Sequence, residues 1–490
     1  MKLQVERKDA VISPDNNRVI ARFFFNGEER AKSLIKRVFK LPEQEVEQQV
    51  LQILREFSRR HRSITGIFEK HYNHVKHIVD EVGNGKSLSK WRKLLIGSYF
   101  TMEYAIESAA LFNPSIVEDL DQSGLPPGYK RVIISLRATG EGHISSLVFR
   151  RAVIDNNNNE IHLQEAYDQI GEAELIKSHQ YEKDAFISKL NEMEITKDFY
   201  HLVFDNLPSK FNYDQIRNAV QKAKMANGFL SMDQQKALDE IVWLADSHNE
   251  IKFSLDTDLT ERVIFPISSI EKNGIEDARF VRFTRDNGEK VYYGIYTAFD
   301  GYTILPKLIE TKDFYTFKIF PLHGKYAIDK NLALFPRKVN GKYVMISRID
   351  GVNNYIMFSD NLHKWSEAQI LSEPKQYWEF VQVGNGGSPI ETSKGWLLIT
   401  HGVGPVRKYC LGASLLDIND PTKVIGSLKE PLLIPNEDER GGYVPNVVYT
   451  CGSYVHNGEL IIPYAMSDYE SSFVTIKLDF LLEELLHSSD

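Results

Sequence analysis

The residues best suited to chemistry lie in the C-terminal two-thirds of the chain, where one acidic motif is followed by several basic residues. They are Glu276, Asp277 and Arg279, then Lys330, Asn331, Arg348 and His401. A carboxylic acid can protonate a leaving group, and a cationic cradle can hold an anionic nucleophile such as phosphate. A sugar hydrolase needs a second carboxylate to activate water, whereas phosphate already carries negative charge. This set of residues therefore suits attack by phosphate on a glycosidic bond.

Several of these residues also have an ordinary structural interpretation. An acidic pair before a strand, such as Glu276-Asp277, is commonly a turn or a salt bridge. Lys330 could be an exposed loop lysine, and His401 could be a hydrogen-bonded core residue at the end of a strand. The functional interpretation depends on all of them occurring together.

A turn between two predicted strands, at 135–146, also carries residues suited to chemistry. It carries Arg137, Glu141 and His143 together with two serines, and glycines flank its acidic residue. Such a turn could hydrogen-bond the hydroxyls of a sugar, or it could be an elaborate structural turn.

The order of these motifs resembles glycoside hydrolase family 130, the mannoside phosphorylases and β-mannosidases built on a five-bladed β-propeller. The resemblance covers nearly the whole region after residue 114. The proton donor of that family is the Asp of a Glu-Asp-Pro-Arg motif, which implies this role for Asp277, with Glu276 and Arg279 beside it in the substrate site. Ala278 stands where Pro is usual. Since Pro contributes rigidity but no chemistry, this departure hardly changes the assignment.

The family's phosphorylases bind phosphate through an Arg-Asn pair, a second Arg eighteen positions later, and a His at the end of a later strand. The resemblance implies that the corresponding phosphate ligands here are Lys330, Asn331, Arg348 and His401. Lys330 departs from the pattern, because Lys is a point charge without the planar two-pronged grip of Arg, although lysines do bind phosphate. The family's hydrolases lack this basic set.

The resemblance also implies the sugar contacts and the reaction. The implied substrate-binding residues are Arg137, Glu141, His143, Asn385, Tyr443, Asn446 and Asp468. The 135–146 turn and the helical N-terminal region look like those of longer family members that act on β-1,2-linked mannooligosaccharides. The implied reaction is inverting phosphorolysis to α-mannose 1-phosphate, with inorganic phosphate as co-substrate. The sequence has no His-x-x-x-His, Cys-x-x-Cys or nucleotide-binding glycine motif, so we expect no metal and no organic cofactor. Asp277 would deliver its proton indirectly, through a hydroxyl of the sugar.

Two alternatives stay open. A hydrolase of the same fold would need a carboxylate to activate water, for which Glu379, Glu437 or Glu439 could serve. A non-catalytic propeller that binds glycans or proteins is the other alternative.

Hydrophobic periodicity predicts the elements that must position these residues. Apolar residues at helical spacing predict helices across 46–57 and 68–82, and a third starting in Trp91–Phe112. Residues 1–113 are therefore predicted to be an N-terminal segment and helical domain. Residues 114–490 are predicted to be a mainly β catalytic domain of short strands, with a helical insertion at about 209–247.

A weak internal repeat favours a propeller among the all-β folds. A turn with an Asp followed by an aromatic or apolar residue recurs around Asp198, Asp313 and Asp360. The last two are 47 residues apart, close to the length of one propeller blade. The inner strands of a propeller point toward a central funnel, so distant polar residues would converge there.

Composition limits the classes of function. Of the 490 residues, 42% are hydrophobic and 26% are charged, as in ordinary globular proteins. The net charge of -8 argues against a nucleic-acid partner. The sequence has only two cysteines, no apolar signal segment and no apolar run long enough for a membrane span, so we expect a cytoplasmic protein. A homo-oligomer is one possible state.

Overall fold

The computed structural model describes residues 4–171, 173–176, 180–192, 200–226, 230–268, 271–299, 301 and 304–487. The described chain is mainly β, with most of its helices gathered in two places. The predicted mainly β class is therefore confirmed. The repeat around Asp198 falls in 193–199, outside the described residues.

The first group of helices precedes the main sheets. It consists of α1 (Glu28–Phe39), α2 (Glu43–Phe57), α3 (Ile64–Gly83) and α4 (Lys90–Tyr99). Their apolar faces form one core, in which Val46, Phe68 and Val75 are buried as the helical spacing predicts. Helix α3 ends at Gly83. The next residue, Asn84, caps the helix in the left-handed conformation with φ of 48°.

The helix predicted to start at Trp91 is shorter than expected. It ends at Tyr99, and the chain continues as a strand, Thr101–Ala105, that pairs with Val19–Phe23. Within this strand Tyr104 is buried while Glu103 and Ala105 on either side are half-buried, as in a strand with one face against the core.

The strands are numbered in chain order. They are β1 (Glu6–Arg7), β2 (Val19–Phe23), β3 (Thr101–Ala105), β4 (Ala110–Glu118), β5 (Lys130–Thr139), β6 (Ser145–Ile154), β7 (Ile161–Leu163), β8 (Glu174–Ile176), β9 (Tyr181–Glu182), β10 (Lys210–Phe211), β11 (Asn249–Lys252), β12 (Val263–Ile264), β13 (Gly274–Thr284), β14 (Lys290–Phe299), β15 (Ile304–Thr311), β16 (Thr316–Pro321), β17 (Lys330–Leu334), β18 (Tyr343–Arg348), β19 (Asn354–Ser359), β20 (Glu367–Ser372), β21 (Gln382–Asn385), β22 (Ile390–Thr392), β23 (Gly395–Val403), β24 (Tyr409–Leu416), β25 (Val424–Ser427), β26 (Val448–Tyr449), β27 (Tyr454–His456), β28 (Glu459–Met466) and β29 (Glu470–Lys477).

Most strands form antiparallel groups of chain neighbours. One sheet of 11 strands contains β4 to β6 and β13 to β16, and these two parts are joined by a single parallel pair, Gly274 with Ser145. Strands β17 to β20 form a four-stranded sheet, and β21 to β25 form a five-stranded one. The last five-stranded sheet combines β26 to β29 with the N-terminal β1.

The groups contact one another in sequence order. Strand β4 contacts β13, β13 contacts β17, and β17 contacts β21. Strand β24 contacts β26, and β28 contacts β4. Polar residues on strands far apart in the chain are therefore brought close together.

A second group of helices lies between β8 and β11. It contains α5 (Lys183–Glu192), α6 (Tyr200–Phe204), α7 (Tyr213–Ala226) and α8 (Met232–Asp246). These helices have a core of their own, and both flanking strands belong to the 11-stranded sheet. The predicted insertion at 209–247 contains α7 and α8, while α5 and α6 precede it.

The chain ends lie on the last sheet. Strand β1 pairs with β29, Ile12 bridges to Ser471, and helix α9 (Leu478–His487) follows β29. The boundary predicted between residues 113 and 114 falls inside β4, because Asn113 and Pro114 both belong to that strand. Within the described ranges, no helix combines the length and the apolarity that a membrane crossing requires.

Candidate active site

The strands β4, β13 and β17 are each the first, in chain order, of a group of antiparallel strands. Each contains a bulge in which one residue adopts the left-handed backbone conformation. These residues are Asn113, Asp277 and Asn331, with φ of 51°, 52° and 66°, and each lies where the pairing register shifts. Asn and Asp enter this region more readily than other non-glycine residues, and a bulge changes the direction of a side chain. The same local device therefore positions one carboxyl and two amides in the candidate site.

Asp277 is surrounded by hydrogen-bond donors and cations. Asn113 Nδ2 donates to Asp277 Oδ1 at 2.7 Å, and a guanidinium nitrogen of Arg137 lies 3.6 Å from the same oxygen. Burial raises the pKa of the Asp277 carboxyl, but Arg137, Arg279 and Lys330, with the Asn113 bond, outweigh it and hold the pKa below its usual value. Without a ligand, Asp277 is therefore ionised at neutral pH.

Glu276 links two of the basic residues. One carboxylate oxygen accepts from Arg137 at 2.9 Å, and the other accepts from Lys330 Nζ at 2.7 Å. Arg137 also donates from Nε to the Ser145 hydroxyl at 3.0 Å. Glu276 thus offsets part of the positive charge of the site and joins β5, β13 and β17.

Arg279 is the buried centre of the network, only 2% exposed. It donates to Asn385 Oδ1 at 3.2 Å, Asn331 Oδ1 at 3.3 Å and Tyr449 Oη at 2.6 Å. It also donates to the backbone carbonyl of Asp277 at 3.0 Å. Because Oδ1 of Asn331 accepts from Arg279, the Nδ2 group of Asn331 is the one that can donate to a ligand.

Arg348 and His401 each contribute a polar atom for which the described residues provide no partner. Arg348 lies opposite Lys330 in the β17–β18 register. Arg348 Nε and His401 Nε2 are both buried, and neither has a hydrogen-bond partner among the described residues. Buried polar atoms without partners are uncommon in proteins, and these two are placed to form hydrogen bonds with a bound anion.

His401 lies in β23 directly opposite Gly384, and it is 1% exposed. Its Nδ1 is 3.0 Å from the Asn385 carbonyl oxygen. Burial, followed by the charges of Arg348 and Arg279, lowers the pKa of His401 well below its usual value. The imidazole is therefore neutral at physiological pH.

Asp468 is a second acidic group close to Asp277. Burial and then the negative charge of Asp277 raise the pKa of Asp468 to about 7, against the opposing charges of Arg137 and Arg407. Two neighbouring carboxyls with pKa values shifted in opposite directions are typical of acid–base sites.

The remaining predicted sugar contacts lie toward the exterior. The Tyr443 ring is 57% exposed and 5.4 Å from the His143 ring, and its hydroxyl is 3.3 Å from His143 Nδ1. Glu141 accepts a hydrogen bond through its backbone carbonyl from the Tyr104 hydroxyl, and Asn446 accepts one through its carbonyl from a backbone N–H. Within the described part of the chain, the side chains of Glu141 and Asn446 are not joined to the network around Asp277.

Three residues of the network were missed by sequence reasoning. Asn113 and Tyr449 contact Asp277 and Arg279 directly, and Gly384 leaves the space beside His401. A Cβ at position 384 would lie 2.6 Å from His401 Nε2. Asn113 had a detectable signal, since an Asn before Pro in a strand suggests a bulge, whereas Tyr449 had none.

The carboxylates considered for hydrolysis have other partners. Glu439 accepts from Arg7 at 2.7 Å and from the Tyr464 hydroxyl at 2.6 Å. Glu379 Oε1 accepts from the backbone amides of Lys375 and Gln376, and Glu437 is exposed. In the ranges that the structure describes, no three His, Cys, Asp or Glu side chains are grouped so that they could hold a metal ion.

The C-terminal part of the chain matches a known family. Residues 220–486 fit the family model described as beta-1,4-mannooligosaccharide phosphorylase, which covers more than half of the chain. The chain belongs to glycoside hydrolase family 130, as the motifs implied.

Individual relatives are similar over part of the chain. The 1,2-beta-oligomannan phosphorylase of Thermoanaerobacter sp. (strain X514) is 38% identical over 209 residues, which are 40% of this chain and 66% of that protein. The beta-1,2-mannobiose phosphorylase of Listeria innocua serovar 6a is 30% identical over 287 residues, covering 56% of this chain and 76% of that protein. A solved complex of the Listeria innocua enzyme with beta-1,2-mannobiose aligns with a TM-score of 0.45 and 22% identity, covering 77% of this chain and 92% of that one. The chain thus spans about two thirds of the first relative's length.

Proposed function

We propose that the chain is a mannoside phosphorylase that cleaves β-1,2-linked mannooligosaccharides with inversion and releases α-mannose 1-phosphate. The observations that carry the proposal are the ionised Asp277 carboxylate held among cations and two buried atoms, Arg348 Nε and His401 Nε2, that have no hydrogen-bond partner among the described residues. The names of the two relatives support the β-1,2 linkage.

We propose further that the strand groups form a five-bladed β-propeller. The support is the order of contacts, in which β4 touches β13, β13 touches β17, β17 touches β21, β24 touches β26, and β28 returns to β4. Five groups in cyclic contact would place Asp277, Arg348 and His401 around one funnel.

In the proposed mechanism, phosphate lies on one face of the terminal mannose. Lys330, Arg348 and the Asn331 amide hold three of its oxygens, with His401 beside them. One phosphate oxygen forms a bond to the anomeric carbon as the glycosidic bond breaks, and the bonding electrons move to the departing oxygen. That oxygen takes a proton that originates on Asp277, and Asp277 is left ionised. Holding the nucleophile in line supplies most of the catalysis, because phosphate needs no activation by a base.

Hydrolysis is the second candidate. It is less well supported because Glu439 already forms an ion pair with Arg7 and a bond with Tyr464, and because the Glu379 carboxylate accepts two backbone amides. Neither of these two carboxylates is therefore prepared to activate water. We propose mannooligosaccharide and phosphate as the substrates, with no organic cofactor and a cytoplasmic location.

The test is incubation of the purified chain with β-1,2-mannobiose in the presence and absence of inorganic phosphate. We expect mannose and α-mannose 1-phosphate with phosphate, and no cleavage without it. β-1,4-Mannobiose serves as the linkage comparison, since the family description names that linkage. Release of mannose without phosphate would establish hydrolysis instead, and no consumption of either sugar would favour a binding protein.

A further inference from the structure

The two ring nitrogens of His401 have different surroundings, and these determine its tautomer. Nδ1 is 3.0 Å from the backbone carbonyl oxygen of Asn385. A carbonyl oxygen only accepts hydrogen bonds, so the proton of a neutral ring is on Nδ1. Nε2 then carries a lone pair and no proton.

A second proton on Nε2 is disfavoured by the surrounding groups. The ring is buried, and the positive charges of Arg348 and Arg279 act on it, while Asp277 and the Asn385 carbonyl act in the opposite sense. The other rings packed against it belong to Tyr449, at 4.8 Å between centroids, and Tyr409, at 6.1 Å. Burial raises the pKa of the Tyr449 hydroxyl, so this group stays neutral and leaves the balance unchanged.

The proposed phosphate ligands other than His401 are all donors. Arg348 and Lys330 have no acceptor atoms, and Asn331 has its oxygen engaged by Arg279. His401 Nε2 is the acceptor of the set, and it is buried without a partner in the described ranges. Monohydrogen phosphate has a matching pattern, with three bare oxygens and one hydroxyl.

We propose that His401 Nε2 accepts the hydroxyl of monohydrogen phosphate, so that the site selects a protonated tetrahedral anion over a fully ionised one. This inference rests on the proposed function, because it assumes that phosphate occupies the site. Placing the P–OH group at His401 leaves bare oxygens for the cations and for attack on the sugar. Sulfate has the same shape and charge as this form of phosphate but carries no proton at neutral pH, so its oxygen would face the lone pair of Nε2.

The experiment compares inorganic sulfate with inorganic phosphate on the whole chain. The KM for phosphate and the inhibition constant of sulfate against phosphate are measured at constant ionic strength near pH 7.5. We expect sulfate to bind at least about 50-fold more weakly than phosphate. Comparable binding of the two anions would overturn the proposal.

His401→Gln provides the second arm, because a glutamine amide can turn its NH₂ group toward an anion. We expect the ratio of sulfate to phosphate binding to move at least about tenfold toward one, whereas a merely structural role would weaken both anions equally. The matched control is His456→Gln, a buried histidine on β27 whose Nε2, like that of His401, has no partner in the described ranges but which is not one of the proposed phosphate ligands. This control should leave the ratio unchanged.

Nitrogen-15 NMR gives a readout that does not depend on turnover. We expect the His401 signals to show a neutral ring protonated at Nδ1 between pH 6 and 8, and a ring protonated at both nitrogens would contradict the proposal. Failure of the proposed function is distinguishable, because then phosphate would not support cleavage of β-1,2-mannobiose at all. Cleavage that depends on phosphate but shows no discrimination against sulfate would reject only the role of His401.

Discussion

Replacing Arg348 by alanine tests whether the basic residues hold phosphate. Arg137 and Lys330 already share the carboxylate of Glu276, at 2.9 Å and 2.7 Å. Arg348 has no ion pair in the part of the chain that the structure describes, and its Nε lacks a partner there. Its guanidinium is therefore not held by a carboxylate in the way that Arg137 and Lys330 are held by Glu276.

The expected size follows from the kind of bond that is lost. A hydrogen bond to a charged group contributes about 1.5–3 kcal/mol, and 1.4 kcal/mol is a factor of ten in affinity. The KM for phosphate should therefore rise roughly 10- to 150-fold in Arg348→Ala. The KM for β-1,2-mannobiose should change by less than about threefold, because the sugar does not depend on this bond. Arg348→Lys should recover part of the loss, since it restores the charge without the planar fork of Arg.

The assay follows the initial rate of α-mannose 1-phosphate formation while one substrate is varied and the other is saturating. Thermal unfolding of each variant checks that the fold is intact. Lys330→Ala is the comparison, and its effect on phosphate should be the smaller one because Glu276 balances the Lys330 charge. Equal increases in both KM values for Arg348→Ala would refute the assignment.

Three further changes test other parts of the structure. Asp277→Asn should lower kcat by roughly 10²- to 10⁴-fold with little loss of sugar affinity by calorimetry, since general acids contribute about that much; an active variant would exclude Asp277 as the proton source. Gly384→Ala should raise the KM for phosphate at least about tenfold with a normal melting curve, because the new Cβ would lie 2.6 Å from His401 Nε2 and overpacking costs about 1–3 kcal/mol. Glu271→Gln should destabilise the protein by about 3–5 kcal/mol in urea unfolding, because Lys307 would stay buried without its partner at 2.7 Å. Although burial raises the pKa of Glu271, Lys307 outweighs burial and lowers that pKa to about 2. The stabilisation by this ion pair is therefore present above the unfolded pKa of about 4.3 and is lost as the pH falls toward 2. A Glu271→Gln variant whose acid unfolding matched that of the wild type would contradict this.

Local periodicity was enough to predict much of the fold. The helices across 46–57 and 68–82 were predictable because their apolar residues lie on one face and are buried in one core. The helix predicted to start at Trp91 ends earlier than its apolar pattern indicates, because the residues after Tyr99 form the strand Thr101–Ala105. That strand pairs with Val19–Phe23, which lies about 80 residues away in the chain. No window of neighbouring residues contains that pairing.

The candidate site was predictable only where residue type and order carried information. Asp277, Arg279, Lys330 and Asn331 could be chosen from their motifs, and the structure brings them together. Tyr449 could not be chosen, because its contact with Arg279 joins β26 to β13 across 170 positions of sequence. The distinction between the network and the exterior, where Glu141 and Tyr443 lie, is also a property of the folded chain.

The electrostatics of the site connect the nucleophile to the acid. The cations Arg137 and Arg279 keep Asp277 ionised when no ligand is bound, so the resting site lacks the protonated acid that cleavage requires. A bound phosphate would offset the same positive field, raise the pKa of Asp277 and favour its protonated form. Water brings no negative charge and would leave Asp277 ionised. The positive field that keeps Asp277 ionised would thus make protonation of the leaving group depend on bound phosphate, which would favour phosphorolysis over hydrolysis.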